Sequence, residues 1–303
     1  MMNHAAESAN LSSGSIGHVA ELADWASELK VVEYARSGAY RNMALDFHLF
    51  NLCEAGGQTG FLRLYTWSRR ALSLGFLEPT GVVDAGKSIA DGVEVVRRPT
   101  GGRAVLHGDD LTYTVVIRKR ESHTRLGLYR AVSESIIRGM TRLGIDLDLE
   151  RGTLRRSQLR NGPCFVSASR YEVTHSGRKV VGSAQRIGRN AVLQHGSMPL
   201  GRGYLDVADY MNLPGRRRRQ LRREIEVSTC CVNDILGRRV TPEEAAAAMA
   251  WGFLGEREEA VTTVADDRFD SEIVSLSAAL EKGLQPPEAQ GTIPLDSLYN
   301  AFI

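Results

Sequence analysis

The chain predicts an α+β fold in which mixed β-sheets are flanked by helices. Three observations lead there. Short runs rich in β-branched and aromatic residues crowd the stretch from Phe61 to Met198. Two longer segments, Tyr40–Glu54 and Thr124–Leu143, instead repeat apolar residues at helical spacing. From Gly201 onward the sequence reads mostly helical.

The first 30 residues read as an extension that is partly disordered, with a short helix over His18–Leu29 carrying Val19, Leu22, Ala23 and Trp25. Tyr40–Glu54 turns Met43, Phe47, Phe50 and Leu52 inward and stops at Gly56-Gly57. Phe61–Trp67 and Ala71–Phe76 read as strands, and the short Ser68-Arg69-Arg70 link predicts an antiparallel pair. Gly81–Ala90 is weakly helical, while Val93–Arg97 and Leu111–Arg118 have the β-branched content of strands. Thr124–Leu143 is the longest helix, with Leu126, Tyr129, Val132, Ile136, Ile137 and Met140 at helical spacing. Tyr171–Thr174, Arg178–Arg186 and Ala191–Met198 form a meander, with His175-Ser176-Gly177 as one turn. Thr241-Pro242-Glu243-Glu244 opens a helix with a Thr cap, Pro at its first position and acids in its first turn. The helices are expected on one side of the sheets, with residues 256–303 a helical C-terminal segment.

At 303 residues the chain can bury a large core in one or two domains. Its formal charge of +2 gives no bulk argument for nucleic acid. No apolar run of about 18 residues predicts a membrane span, and Met1–Gly17 lacks the basic start and apolar core of a secretory signal. Four cysteines, two of them adjacent at Cys230-Cys231, suggest neither a disulfide framework nor a zinc site. A reducing cytoplasm is the expected compartment, and no metal site is expected.

The segment Val96-Arg97-Arg98-Pro99-Thr100-Gly101-Gly102-Arg103-Ala104-Val105-Leu106-His107 carries the most chemistry. Pro99 fixes φ at the entry to the turn. Gly101 and Gly102 lack Cβ atoms, so the backbone bends sharply and a ligand can approach its N–H groups. Arg97 and Arg98 are permanent cations that either hold a carboxylate or phosphate or brace the loop. A structural turn with its arginines in water uses the same residues.

This segment resembles the signature loop of the biotin/lipoate protein ligase and lipoyl transferase superfamily. Gly177-Arg178-Lys179-Val180-Val181-Gly182-Ser183-Ala184-Gln185 resembles the family's Gly-Lys-Lys-(apolar)-x-Gly-Ser-Ala segment. Val192-Leu193-Gln194-His195-Gly196-Ser197 resembles its Leu-Gln-His-Gly-Ser strand, and Asn42-Met43-Ala44-Leu45-Asp46 its opening helix. The likeness runs in order from about Val32 to Phe253. It implies a ligase-like catalytic domain over residues 31–255, with a substrate groove over one face of a mixed sheet. It also implies substrate contacts from Arg98, Thr100, Gly101, Gly102, Ala104, His107, Gly182, Ser183, Ala184, His195 and Gly196.

Cys164 follows a Gly162-Pro163 turn, with Arg156, Arg160 and Arg170 near in sequence. Positive surroundings favour the nucleophilic thiolate, although a lone cysteine also serves as a small buried hydrophobe. Cys164-Phe165-Val166-Ser167-Ala168-Ser169-Arg170-Tyr171-Glu172 resembles the cysteine-dependent octanoyltransferases of the LipM type, in which this cysteine accepts the acyl group. The sequence departs from that pattern at Val166-Ser167-Ala168. Lys179 sits in a small-residue run where its cation can meet an acyl carbonyl or assist proton transfer. His107 and His195 read as packed or hydrogen-bonded residues, with no carboxylate at an obvious triad spacing. The Arg216–Arg219 run, continued by Arg222 and Arg223, is either a solvated helix face or a dock for an acidic protein.

The resemblance implies transfer of octanoate from acyl carrier protein, through a Cys164 thioester, to a lysine of the glycine-cleavage H protein or a lipoyl domain. No cofactor is expected for that reaction. The alternative is an ATP-dependent lipoate-protein ligase, which would need ATP and Mg²⁺. A non-catalytic carrier-binding module is a third reading.

Overall fold

The computed structural model describes residues 29–57, 60–121, 123–150, 171–256, 263–265 and 277. Strand β1 (Leu29–Ser37) leads through Gly38 into helix α1 (Ala39–Glu54). Strands β2 (Gly60–Trp67) and β3 (Ala71–Leu74) precede helix α2 (Ala85–Ala90) and strands β4 (Glu94–Arg97), β5 (Val105–His107) and β6 (Asp110–Arg118). Helix α3 (Arg125–Thr141) and strands β7 (Asp148–Leu149), β8 (Val173–His175), β9 (Arg178–Ile187) and β10 (Ala191–Pro199) follow. Then come 3₁₀ turns over Arg202–Tyr210, helices α4 (Gly215–Ser228), α5 (Val232–Leu236) and α6 (Pro242–Leu254), and the short strand β11 (Thr263–Val264).

The described strands make a mixed eight-stranded sheet, β11-β1-β2-β6-β10-β9-β8-β7, and a three-stranded sheet, β4-β3-β5. Consecutive strands β2 and β3 therefore do not pair, contrary to the expectation from their short link. Ser68–Arg70 carries the chain from one sheet to the other, where β3 lies parallel to β4 and antiparallel to β5. Strand β1, which periodicity did not single out, lies parallel to β2.

Alternation along β2 and β6 explains the layers. Leu62, Leu64, Leu111, Tyr113, Val115 and Ile117 pack with α3 and α6. Phe61 and Val116 point the other way and pack with α1. Helices therefore cover both faces rather than one, and β2 and β6 are buried on both sides, with Arg63 and Thr114 on the α1 side bonded to Asp46. Helices α3 and α6 approach closely at two glycines: a Cβ on Gly139 would lie 2.5 Å from the Ala248 carbonyl oxygen, and one on Gly252 would strike the Ser135 carbonyl. This rotation buries Leu128, whereas Leu126 is exposed despite its helical spacing.

The remaining helix signals have local causes. Thr124 Oγ1 accepts from Gly127 N–H and caps α3, and Thr241 Oγ1 accepts from Glu244 N–H to cap α6. In the β8–β9 turn Ser176 and Gly177 adopt φ of 50° and 74°, which suits a tight hairpin. Cys230 and Cys231 lie between α4 and α5 rather than within a helix, and both are buried. Of the C-terminal segment expected to be helical, Thr263–Val264 is a strand parallel to β1. No helix among the described residues is long and apolar enough to cross a membrane.

Candidate active site

Between α1 and the β6–β10–β9 face lies a cavity of about 250 Å³. Met43, Tyr65, Trp67 and Val105 give it an apolar side. Its polar side carries Arg98, His107, Glu172, Lys179, Ser183 and His195. Strand pairing brings part of this lining together, since β10 pairs with both β6 and β9, while Met43 comes from α1 and Val105 and His107 from the small sheet.

The signature loop is braced from inside. Arg98 donates through Nη2 to the carbonyls of Gly101 and Arg103, both at 2.8 Å, and through Nη1 to that of Ser73 at 2.9 Å. Arg97 Nη1 donates to the carbonyls of Gly75, Phe76 and Glu78, each at 2.8 Å. The arginine pair thus shapes the loop, and Arg98 also borders the cavity. Gly102 takes φ of 100°, which favours glycine, and its carbonyl occupies the place where a Cβ on Gly75 would stand.

Two buried carboxylates organise the polar wall. Asp46 Oδ2 accepts from Tyr65 Oη at 2.9 Å, Thr114 Oγ1 at 2.8 Å and His195 Nδ1 at 3.0 Å, while its Oδ1 accepts from Arg63 at 3.1 Å. Thr100 Oγ1 lies 2.6 Å from the other ring nitrogen of His195. Asp110 Oδ2 lies 2.8 Å from His107 Nδ1 and accepts from Ser197 at 2.6 Å; His107 Nε2 lies 2.8 Å from Ser73 Oγ. Trp67 stacks on His107 with ring centroids 4.1 Å apart. Each histidine therefore joins a hydroxyl to a carboxylate.

Burial by itself would raise both carboxylates. The bonds and charges of His195 and Arg63 outweigh it at Asp46, and those of His107 and Ser197 at Asp110, so both groups sit below the usual range. Burial pushes the His195 imidazole below its ordinary value, an effect Asp46 only partly offsets. His195 is thus neutral near pH 7, with Nδ1–H donating to Asp46 and Nε2 accepting from Thr100.

Lys179 is buried on β9, and its Nζ donates to Glu172 Oε1 at 2.6 Å. The backbone fixes its place: the Lys179 carbonyl accepts from Cys230 N–H, and Lys179 pairs with Thr229 at the end of α4.

Arg98, Gly102, His107, Lys179, Gly182, Ser183, Ala184, His195 and Gly196 converge on this one cavity. Thr100 stands behind His195. Gly101 faces solvent, and Ala104 is buried with Leu72 and Leu74 in the core beneath the small sheet, so neither borders the cavity. Cys164, with Arg156, Arg160 and Arg170, lies outside the described residues. Sequence reasoning missed Asp46 and Asp110 as histidine partners. Asp110 was within reach, since it follows His107 at i,i+3; Asp46 is 149 residues from His195.

The basic helix α4 divides by face. Arg217 bonds Glu224 at 2.7 Å, Arg218 bonds Asp84 at 2.9 Å, and Arg222 bonds Asp206 at 2.8 Å. Arg216, Arg219 and Arg223 are exposed. They follow at i, i+3 and i+7 and share one face.

The sequence profile of the lipoyl protein ligase A/B catalytic domain matches residues 38–254. The chain belongs to that family. Within it, Octanoyltransferase LipM of Kyrpidia tusciae is 36% identical over 257 residues, a match covering 80% of this chain and 93% of that one. Octanoyltransferase LipM of Bacillus subtilis is 33% identical over 222 residues, covering 70% and 80%. The fold is similar to that of a lipoate-protein ligase A bound with ATP, with a TM-score of 0.61 at 21% identity over 84% of this chain and 94% of that one. It is also similar to a bipartite lipoate protein ligase from Thermoplasma acidophilum, with a TM-score of 0.63 at 20% identity over 86% and 94%. As a lipoyl protein ligase A/B catalytic domain, the chain places two family motifs on the adjoining strands β9 and β10 and brings α1 and the signature loop to the same cavity.

Proposed function

We infer that this chain is an octanoyltransferase of lipoate assembly, an enzyme that moves an octanoyl group from an acyl donor to a lipoyl-accepting protein. The observation that carries this reading is the likeness to Octanoyltransferase LipM, at 36% identity over 80% of this chain and 93% of the Kyrpidia tusciae protein. The cavity suits the chemistry. Met43, Tyr65, Trp67 and Val105 can receive an alkyl chain, and the Lys179 ammonium can face a carbonyl.

The proposed donor is octanoyl-acyl carrier protein, and the proposed acceptor is a lysine of the glycine-cleavage H protein or a lipoyl domain. Cys164 thiolate attacks the donor thioester, a tetrahedral oxyanion forms, and it collapses as the carrier sulfur leaves as a thiolate. The acceptor ε-amine then attacks the Cys164 thioester, and an amide forms as the Cys164 sulfur departs and the amine's proton passes to it as a thiol. Both carbonyls are activated thioesters, so this route consumes no ATP. Carrier-bound substrates place the reaction in the cytoplasm under the same reading.

Intact mass after mixing with octanoyl-acyl carrier protein tests it. The wild type should gain one octanoyl group without ATP and lose it to apo-acceptor or hydroxylamine, while Cys164→Ala should gain none. Transfer by Cys164→Ala at the wild-type rate would overturn the covalent route. Strict dependence on ATP and free acid would establish the ligase instead.

A further inference from the structure

We propose that Met43 is the end stop of the acyl slot, the residue that sets how many carbons the cavity accepts. The proposal rests on the octanoyl-transfer reading and assigns the chain-length specificity of that same cavity.

Strand register lays out the floor of the slot. Tyr65 pairs with Thr112, Thr112 with Ser197, and Ser197 with Gly182, so one row crosses β2, β6, β10 and β9. The row faces α1. Tyr65 bonds Asp46 of that helix, and so do Thr114 and His195, which stand two residues from Thr112 and Ser197 on their strands. All four residues of the row border the cavity. Three strand spacings make it roughly 14 Å long, the scale of an extended acyl chain. Its β9 end carries Lys179 and the small residues Gly182 and Ala184. At its β2 end Tyr65 and Trp67 share a buried apolar cluster with Met43 of α1. The acyl carbonyl therefore belongs at Lys179 and the terminal methyl at Met43.

The floor carries hydroxyls, yet it suits an alkyl chain. Ser197 donates to Asp110 Oδ2 at 2.6 Å. Thr112 donates to the same oxygen at 3.1 Å and accepts from Trp67 Nε1 at 2.8 Å. Tyr65 donates to Asp46 at 2.9 Å. Each polar group is bonded to a neighbour, so a chain laid over the row strands none of them. The same bonds pin Tyr65 and Trp67. Met43 is held instead by packing: it is 2% exposed, clusters with Ala39, Ala71 and Val96, and borders the cavity. Its unbranched thioether is the part of this end wall that can be shortened without breaking a hydrogen bond.

The test is a competition. The enzyme meets an equal mixture of octanoyl-, decanoyl- and dodecanoyl-acyl carrier protein, and intact mass reads which acyl-enzyme forms first, which compares kcat/KM directly. The wild type should take octanoyl ahead of the longer chains. Met43→Ala opens the end of the slot and should raise the decanoyl-to-octanoyl ratio on the order of tenfold, at about fourfold for each methylene newly buried. Met43→Val is a smaller truncation. It should shift the ratio in the same direction by less, and it carries the test should Met43→Ala fail to fold. An unchanged ratio in a folded variant, or a loss shared equally by all three donors, would overturn Met43 as the end stop while leaving octanoyl transfer standing. A wild type that acquires no acyl group from any donor would overturn the transferase reading, and this inference with it.

Discussion

His195 donates its Nδ1–H to Asp46 at 3.0 Å, joining β10 to α1 across 149 residues of sequence. The pair is buried, and the imidazole is held below its ordinary value of 6.5. Between the folded value and 6.5, the unfolded chain binds a proton that the folded chain does not. His195 therefore lowers stability as pH falls below about 6.5, by at most about 1.4 kcal/mol per pH unit. Asp46 is lowered as well: its folded value lies below 3.8, so its contribution is present above that pH and is lost as pH falls through the folded value. Urea unfolding from pH 7.5 to 5 should show the loss in the wild type and a flatter profile in His195→Gln. Parallel profiles would remove His195 as its source.

Arg63 is fully buried against Asp46 and also donates to Asn42 Oδ1 at 2.7 Å. Arg63→Met leaves a carboxylate buried with fewer donors. It should cost about 3–5 kcal/mol in urea unfolding. A loss below about 1 kcal/mol would mean that Tyr65, Thr114 and His195 satisfy Asp46 unaided.

Lys179→Ala should slow transfer on the order of a hundredfold or more. Lys179 and Glu172 are both buried, so this change also strands an anion and should lower stability. Lys179→Met combined with Glu172→Gln removes both charges and should restore stability without restoring turnover. Recovery of turnover along with stability would show that Lys179 is structural.

The arginines of α4 separate encounter from folding. Charge reversal at Arg216, Arg219 and Arg223 should raise the KM for carrier protein several-fold, more at low salt than at high, with little change in kcat or Tm. Reversal at Arg217 and Arg218 should instead lower Tm, because their partners Glu224 and Asp84 would then face like charge. Equal KM values for both sets would make the exposed face only a solvated one.

The sequence by itself determined the fold class, the boundaries of α1, α3 and α6, and the order of the motifs, because each is written in neighbouring residues. Thr124 and Thr241 announce their helices, Ser176-Gly177 announces a hairpin, and the β-branched content of β6 announces a strand. Only the tertiary structure decided what those elements do for one another. The three residues between β2 and β3 could close a hairpin, but the partners available to β3 were β4 and β5. The arginine run looked uniform, yet which cations are spent on Asp84, Asp206 and Glu224 depends on where α4 packs. Asp46 and Asp110 were ordinary carboxylates in sequence. They became partners of His195 and His107 only in three dimensions, since burying an anion requires donors and the chain supplies them from strands far apart.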